Sequence, residues 1–145
     1  MAQHPKPVPA TLIEGTLESS LYARDLDAAE GFYGQTLGLP VIGKVKGRHV
    51  FFRVGASVLL VFNPDATRQP PAPDSRLPVP PHGAEGAGHY CFSVPGDRLD
   101  ALRDALSAAG IAIEQEVEWP NGARSFYIRD PAGNSVEFAE PGLWA

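Results

Sequence analysis

The chain has a single cysteine, Cys91, in 145 residues. It can form no internal disulfide, and this usage fits a reducing compartment, so a cytoplasmic location is expected. There is no basic run. Twelve Lys and Arg against 17 Asp and Glu leave a net charge of -5, which argues against a nucleic-acid partner, because nothing is concentrated to neutralise phosphates. Nor is there a long apolar run: Val58 to Phe62 is the longest, far short of a bilayer span. The first nine residues lack an apolar h-region, and no secretory leader is expected. Against these absences, 43% hydrophobic residues suffice for a core in one compact unit or two closely packed small modules.

Proline is plentiful but unevenly placed. Seven of the 15 prolines fall between Asn63 and Gly88, where neither helix nor strand is expected to persist. Residues 1–12 read as an extended arm and 64–88 as a proline-rich linker or long surface loop. Between them, 13–63 shows a strand over Thr16–Ala23 and a helix capped by Asp25, with Leu26, Ala29, Phe32, Tyr33 and Leu37 on one stripe, ended by Gly38. Three strands follow, Val41–Lys46, Arg48–Val54 and Ser57–Phe62, joined tightly at Gly47 and Gly55-Ala56.

The same series returns over 89–141: a strand His89–Val94, a helix capped by Asp97 and ended by Gly110, then strands Ala112–Trp119, Ala123–Arg129 and Asn134–Glu140. Asn121-Gly122 makes a strong hairpin turn, and 142–145 is a short tail. Asp25 to Gly38 and Asp97 to Gly110 have equal spacing. Gly47–Arg53 lies over Ala123–Arg129, and Val54–Leu60 echoes the turn and strand before Phe138, placing Leu59 opposite Glu137. The chain therefore reads as α+β, two βαβββ modules whose mixed sheets curve into one cup.

Strand alternation sorts these residues by face. Tyr90, Phe92, Val94, Val136 and Phe138 form the face a helix would cover. His89, Cys91, Ser93, Ser135 and Glu137 form the other. The first-module counterparts are Glu18, Ser20, Tyr22, Ser57, Leu59 and Val61. Glu18, His89 and Glu137 supply one imidazole and two carboxylates, a donor set suited to a first-row divalent ion with positions left open for substrate. Each also has a plain reading as a solvated strand residue or a hydrogen-bonded histidine.

Asp25-Leu26-Asp27-Ala28-Ala29-Glu30-Gly31-Phe32-Tyr33 before Leu37-Gly38-Leu39, together with Asp130-Pro131-Ala132-Gly133-Asn134-Ser135-Val136-Glu137, resembles the vicinal oxygen chelate superfamily. That group includes glyoxalase I, extradiol dioxygenases, fosfomycin-resistance transferases and bleomycin-binding proteins. The resemblance implies a glyoxalase-like fold, a homodimer, and a divalent metal (Fe, Mn, Ni or Zn) held by Glu18, His89 and Glu137. Glu18 departs from the commoner His or Gln, and Leu59 stands where glyoxalase I has a fourth ligand, so a three-ligand site is expected.

The resemblance to the fosfomycin-resistance transferases implies that Ser125 and Tyr127 contact substrate, Tyr127 also as a catalytic residue. By the repeat, His49, Phe51 and Arg53 face the cup from the first module, with His49 either an acid or base or a surface strand histidine. Arg53 and Arg124 are candidates for holding an anionic substrate. Cys91 reads as a small filler, His82 as a loop residue that can serve a lid, and Trp119 and Trp144 as core or interface aromatics. The leading expectation is a metal-dependent enzyme of isomerase or lyase type acting on a small hydroxy-carbonyl or diol substrate, with Glu137 among its catalytic residues. The alternatives are an extradiol-type dioxygenase and a metal-free drug-binding protein.

Overall fold

The computed structural model describes residues 4–145. Of the expected N-terminal arm, residues 1–3 lie outside the described residues. The remainder is exposed and contains one 3-10 turn, Ala10–Leu12. β1 (Glu18–Tyr22) leads into α1 (Leu26–Glu30), and β2 (Val41–Val45), β3 (His49–Val54) and β4 (Ser57–Phe62) follow. α2 (Pro64–Thr67) begins the proline-rich stretch. β5 (His89–Ser93), α3 (Gly96–Ala108), β6 (Gln115–Glu118), β7 (Arg124–Arg129) and β8 (Ser135–Ala139) repeat the series.

Two four-stranded mixed sheets result, ordered β1-β4-β3-β2 and β5-β8-β7-β6. In each, the first strand pairs parallel with the last and the others pair antiparallel. The matched glycines do matched work. Gly38 and Gly110 both take positive φ, 72° and 86°, the left-handed conformation that ends a helix without a Cβ clash.

Several elements differ locally from expectation. Asp25 caps α1 through the Ala28 amide as expected, but after Glu30 the coil widens to a π-helix over Gly31–Thr36. The second helix starts at Gly96 after Pro95, so Asp97 sits in its first turn instead of capping it. The strand expected over Ala112–Trp119 pairs only across Gln115–Glu118. α2 is a helix the proline count concealed: Asn63 accepts from the Asp65 amide, and Pro64 occupies the first turn, where its missing N–H costs nothing.

One core serves both modules. Leu21, Phe32, Tyr33, Val50, Phe52, Leu59 and Val61 join Phe92, Leu99, Leu106, Phe126, Ile128, Val136 and Phe138 in a single buried cluster. The covered face of the second module is therefore the expected one. In the first module, Leu59 and Val61 belong to the core, where the expectation put them in the cup. The register explains this: Glu18 pairs with Val58 as His89 pairs with Ser135. The first-module equivalent of Glu137 is thus Leu60, and the echo is off by one residue. A one-residue shift moves every side chain to the opposite face.

Candidate metal and substrate site

In the second module, β5 and β8 place His89 and Glu137 together on the concave face. Glu137 is 5% exposed. One carboxylate oxygen, Oε1, lies 3.3 Å from His89 Nε2, and the other, Oε2, is buried without a hydrogen-bond partner among the described residues. His89 Nδ1 lies 3.1 Å from the Ser135 carbonyl oxygen. A carbonyl only accepts, so Nδ1 carries the proton and Nε2 turns toward the carboxylate. In the neutral ring Nε2 offers a lone pair, and two lone pairs facing each other need a proton or a cation between them. The spacing suits a cation: two donors each roughly 2.1 Å from one ion, at tetrahedral to octahedral angles, stand roughly 3.0–3.4 Å apart.

The pair lines a cavity of about 490 Å³ with Cys91, Tyr127, Trp119 and the C-terminal Leu143 and Trp144. Tyr127 stacks on His89 at 6.1 Å between ring centres. Burial first, then the Glu137 carboxylate, raises its phenol above the usual range, so it stays a proton donor at neutral pH. Burial first and Glu137 second push the Cys91 thiol up to about 12; that group is a poor nucleophile. Trp119 Nε1 donates to Ser125 Oγ at 3.0 Å, which fixes the indole over the sheet and occupies the serine. Asn121 Nδ2 donates to the carbonyls of Gly142 and Leu143, both at 3.1 Å, tying the final 3-10 turn beside the cavity. The two tryptophans, whose place the sequence left undecided, are thus cavity residues. A Trp three positions after β6's Glu116, followed by the Asn-Gly turn, was the available signal.

Glu18 lies elsewhere. It lines a second cavity, about 630 Å³, on the concave face of the first module with His49, Phe51, Val58, Leu60, Phe62 and His82. Among the described residues no group of three metal-ligating side chains is assembled. The structure therefore brings His89 and Glu137 together and separates Glu18 from them. His49 and Phe51 share the Glu18 cavity as the repeat implied. Arg53, also on this strand face, is exposed and does not line the cavity.

Arg124 sits apart from the other cup candidates. It alternates with Ser125 and Tyr127 and so points to the helix side, where it pairs with Asp100 of α3 at 3.0 Å and with Glu140 at 3.1 Å.

The proline-rich stretch is a cover. His82 Nδ1 lies 2.7 Å from the Tyr22 hydroxyl, its ring packs across Phe62 at 4.6 Å, and its amide donates to the Thr67 carbonyl. Glu85 bridges Arg24 and Arg68. These contacts draw the loop over the first-module sheet, where His82 lines the cavity.

The family model for the Glyoxalase/Bleomycin resistance protein/Dioxygenase superfamily matches residues 15–138. A crystal structure of lactoylglutathione lyase from Agrobacterium tumefaciens is similar at 44% identity and a TM-score of 0.85, over 90% of this chain and 96% of that one. A glyoxalase/dioxygenase from Nostoc punctiforme, 21% identical with a TM-score of 0.66 over 95% and 97% of the two chains, shares the fold. No curated protein sequence gives a significant match.

Proposed function

We infer the function from the premise that the chain belongs to the Glyoxalase/Bleomycin resistance protein/Dioxygenase superfamily. The reading we propose is a divalent-metal-dependent enzyme, with isomerase or lyase chemistry on a small hydroxy-carbonyl or diol substrate. The observation that carries it is the buried Glu137 carboxylate, with one oxygen unpartnered and the other 3.3 Å from an imidazole nitrogen. The lactoylglutathione lyase of 44% identity supports lyase chemistry over ring cleavage.

Two ligands are too few for a catalytic ion of this kind, which commonly has three protein donors. Glu18, in the other cavity of the same chain, becomes the third if two copies pair so that the first-module face of one meets the second-module face of the other. The active unit we propose is therefore a homodimer with two shared sites. A bound ion there would act as a Lewis acid on the substrate's adjacent oxygens. His89 holds its ring angle through Ser135, an outer contact of the kind that fixes a ligand's tautomer. Glu137 lines the cavity and, with an oxygen turned into it, can take a proton from a substrate carbon or hydroxyl. Tyr127, kept protonated, donates to developing negative charge, and Trp119, held by Ser125, walls the cavity.

Elemental analysis of protein purified without chelator or nickel resin tests the metal. Near-stoichiometric Fe, Mn, Ni or Zn, lost in His89→Ala and Glu137→Ala, is expected. Co²⁺ added to metal-stripped protein should also quench tryptophan emission in the wild type and not in His89→Ala. Sharing is tested by mixing two inactive variants, Glu18→Ala and Glu137→Ala. After subunit exchange about a quarter of wild-type metal sites should return, because half the dimers are mixed and each mixed dimer regains one of two sites. No recovery means the sites are not shared. No metal in any form gives the lead to a metal-free small-molecule-binding protein.

A further inference from the structure

The cavity on the first module is built for more than a carboxylate ligand. Its floor is an aromatic corner. The rings of His49 and Phe51 stack at 3.9 Å and 8°, and Phe62 stands nearly perpendicular to them, at 81° and 79°. His82 also meets Phe62 edge-on, at 75°. Such a corner offers both a face and an edge to a further ring, the two arrangements aromatic pairs prefer. Leu60 completes the floor. Above it, Leu77 and Val79 of the cover line the same cavity, so an occupant would meet apolar side chains on two sides. A volume of about 630 Å³ suits one small molecule.

The polar side of the corner is specific as well. His49 Nδ1 is buried without a partner among the described residues. Burial first, then the neighbouring Arg48, holds the imidazole below its ordinary range, so the ring is neutral at pH 7. A neutral ring has one N–H, and placing it on Nε2 leaves Nδ1 an unpaired acceptor, where the other tautomer would bury an unpaired donor. His49 therefore offers the cavity a donor next to an aromatic face. Glu18 marks the cavity's other end.

We propose that this cavity is a specificity pocket for a planar aromatic group, so that the substrate is a small aryl-bearing hydroxy-carbonyl compound. Its ring lies in the corner of Phe51 and Phe62, an oxygen accepts from His49, and its vicinal oxygens point toward Glu18. The direction of those oxygens rests on the function proposed above; the ring pocket does not.

Calorimetric titration with 2-hydroxyacetophenone and with hydroxyacetone compares the same two oxygens with and without a ring. The full chain is titrated as purified and after chelator treatment. The aryl ketone should bind at least about tenfold tighter, the margin burial of one ring readily supplies. Leu60→Trp, which fills the floor, should bring the two ketones to parity. Equal affinity for both ketones in the wild type, or a preference that survives in a folded Leu60→Trp, overturns the proposal. Should that variant not fold, the wild-type Phe51 and Phe62 ring resonances decide: both should shift with the aryl ketone and stay with hydroxyacetone, and no shift overturns it. A ring preference that persists in chelator-treated protein, with no metal found in any preparation, removes the catalytic reading and leaves the pocket.

Discussion

The Tyr33 hydroxyl donates to Asp130 Oδ2 at 2.7 Å, across 97 positions of chain, with Tyr33 fully buried. This bond joins the helical segment of the first module to the Asp-Pro-Ala-Gly-Asn turn of the second. The turn is the centre of a clasp. Asp130 also accepts from the Ala132 and Asn134 amides and from Asn134 Nδ2. Asn134 in turn donates to the Tyr22 carbonyl at 3.1 Å and accepts from the Gly88 amide at 2.8 Å. A turn cluster that reads locally as a strand break is the polar seam that fixes β1, and with it Glu18, against the strands carrying His89 and Glu137.

Removing the hydroxyl with Tyr33→Phe leaves a buried carboxylate short of one partner, a loss of about 1–3 kcal/mol that urea denaturation at pH 7 will measure. The same residue predicts an alkaline limit. Burial first, then Asp130, raises the folded-state phenol well above its ordinary value of 10.0. Its contribution is thus complete below pH 10 and falls as the unfolded chain ionises above it, at up to about 1.4 kcal/mol per pH unit. In Tyr33→Phe the slope of stability against pH above 10 should be smaller by one proton. An unchanged slope would mean the phenol is not held neutral.

The cover should open in acid. Hydrogen bonds from Arg24 and then Arg68 hold the Glu85 carboxyl down to about 2, from an ordinary 4.5. A depressed carboxylate stabilises above its unfolded value and loses that contribution as pH falls through its folded one. The loop around Leu77 should resist pepsin near pH 4.5 and become cleavable as pH approaches 2. Glu85→Gln should already be cut at pH 4.5 with its global fold intact by circular dichroism. Added salt should act in the same direction, because these pairs are exposed and screened.

How much of this was legible beforehand divides by physical cause. The repeat, the matched glycines and the faces of β5 and β8 follow from local pattern, and the second-module pair His89 and Glu137 follows from them. The face of β4 does not. Ser57 to Phe62 is apolar after its first residue, so alternation carries no phase there, and only pairing with β1 settles that Leu60 looks into the cavity. The pairing of Arg124 was hidden for another reason: it depends on Asp100, 24 positions away on α3. The cover left no periodic trace because its order comes from side-chain contacts, His82 to Tyr22 and Glu85 to two arginines.

The register difference between Leu59 and Leu60 gives the sharpest test of the first-module face. Leu59 is 0% exposed and Leu60 9%, so burial alone hardly separates them, but their surroundings do. Leu59 stands in the hydrophobic core, where Leu59→Glu must either bury an unpaired charge or protonate it, at several kcal/mol. Leu60 lines the cavity with Glu18 and His49, where Leu60→Glu can be solvated and can reach the position in the first module that Glu137 holds in the second. Leu59→Glu should therefore be unfolded or nearly so in urea titrations, while Leu60→Glu stays folded and, on the shared-site dimer proposed above, binds added Mn²⁺ more tightly than wild type. If the two variants lose stability equally, the β1–β4 register is wrong, and with it the pocket that Leu60, Phe62 and Phe51 define.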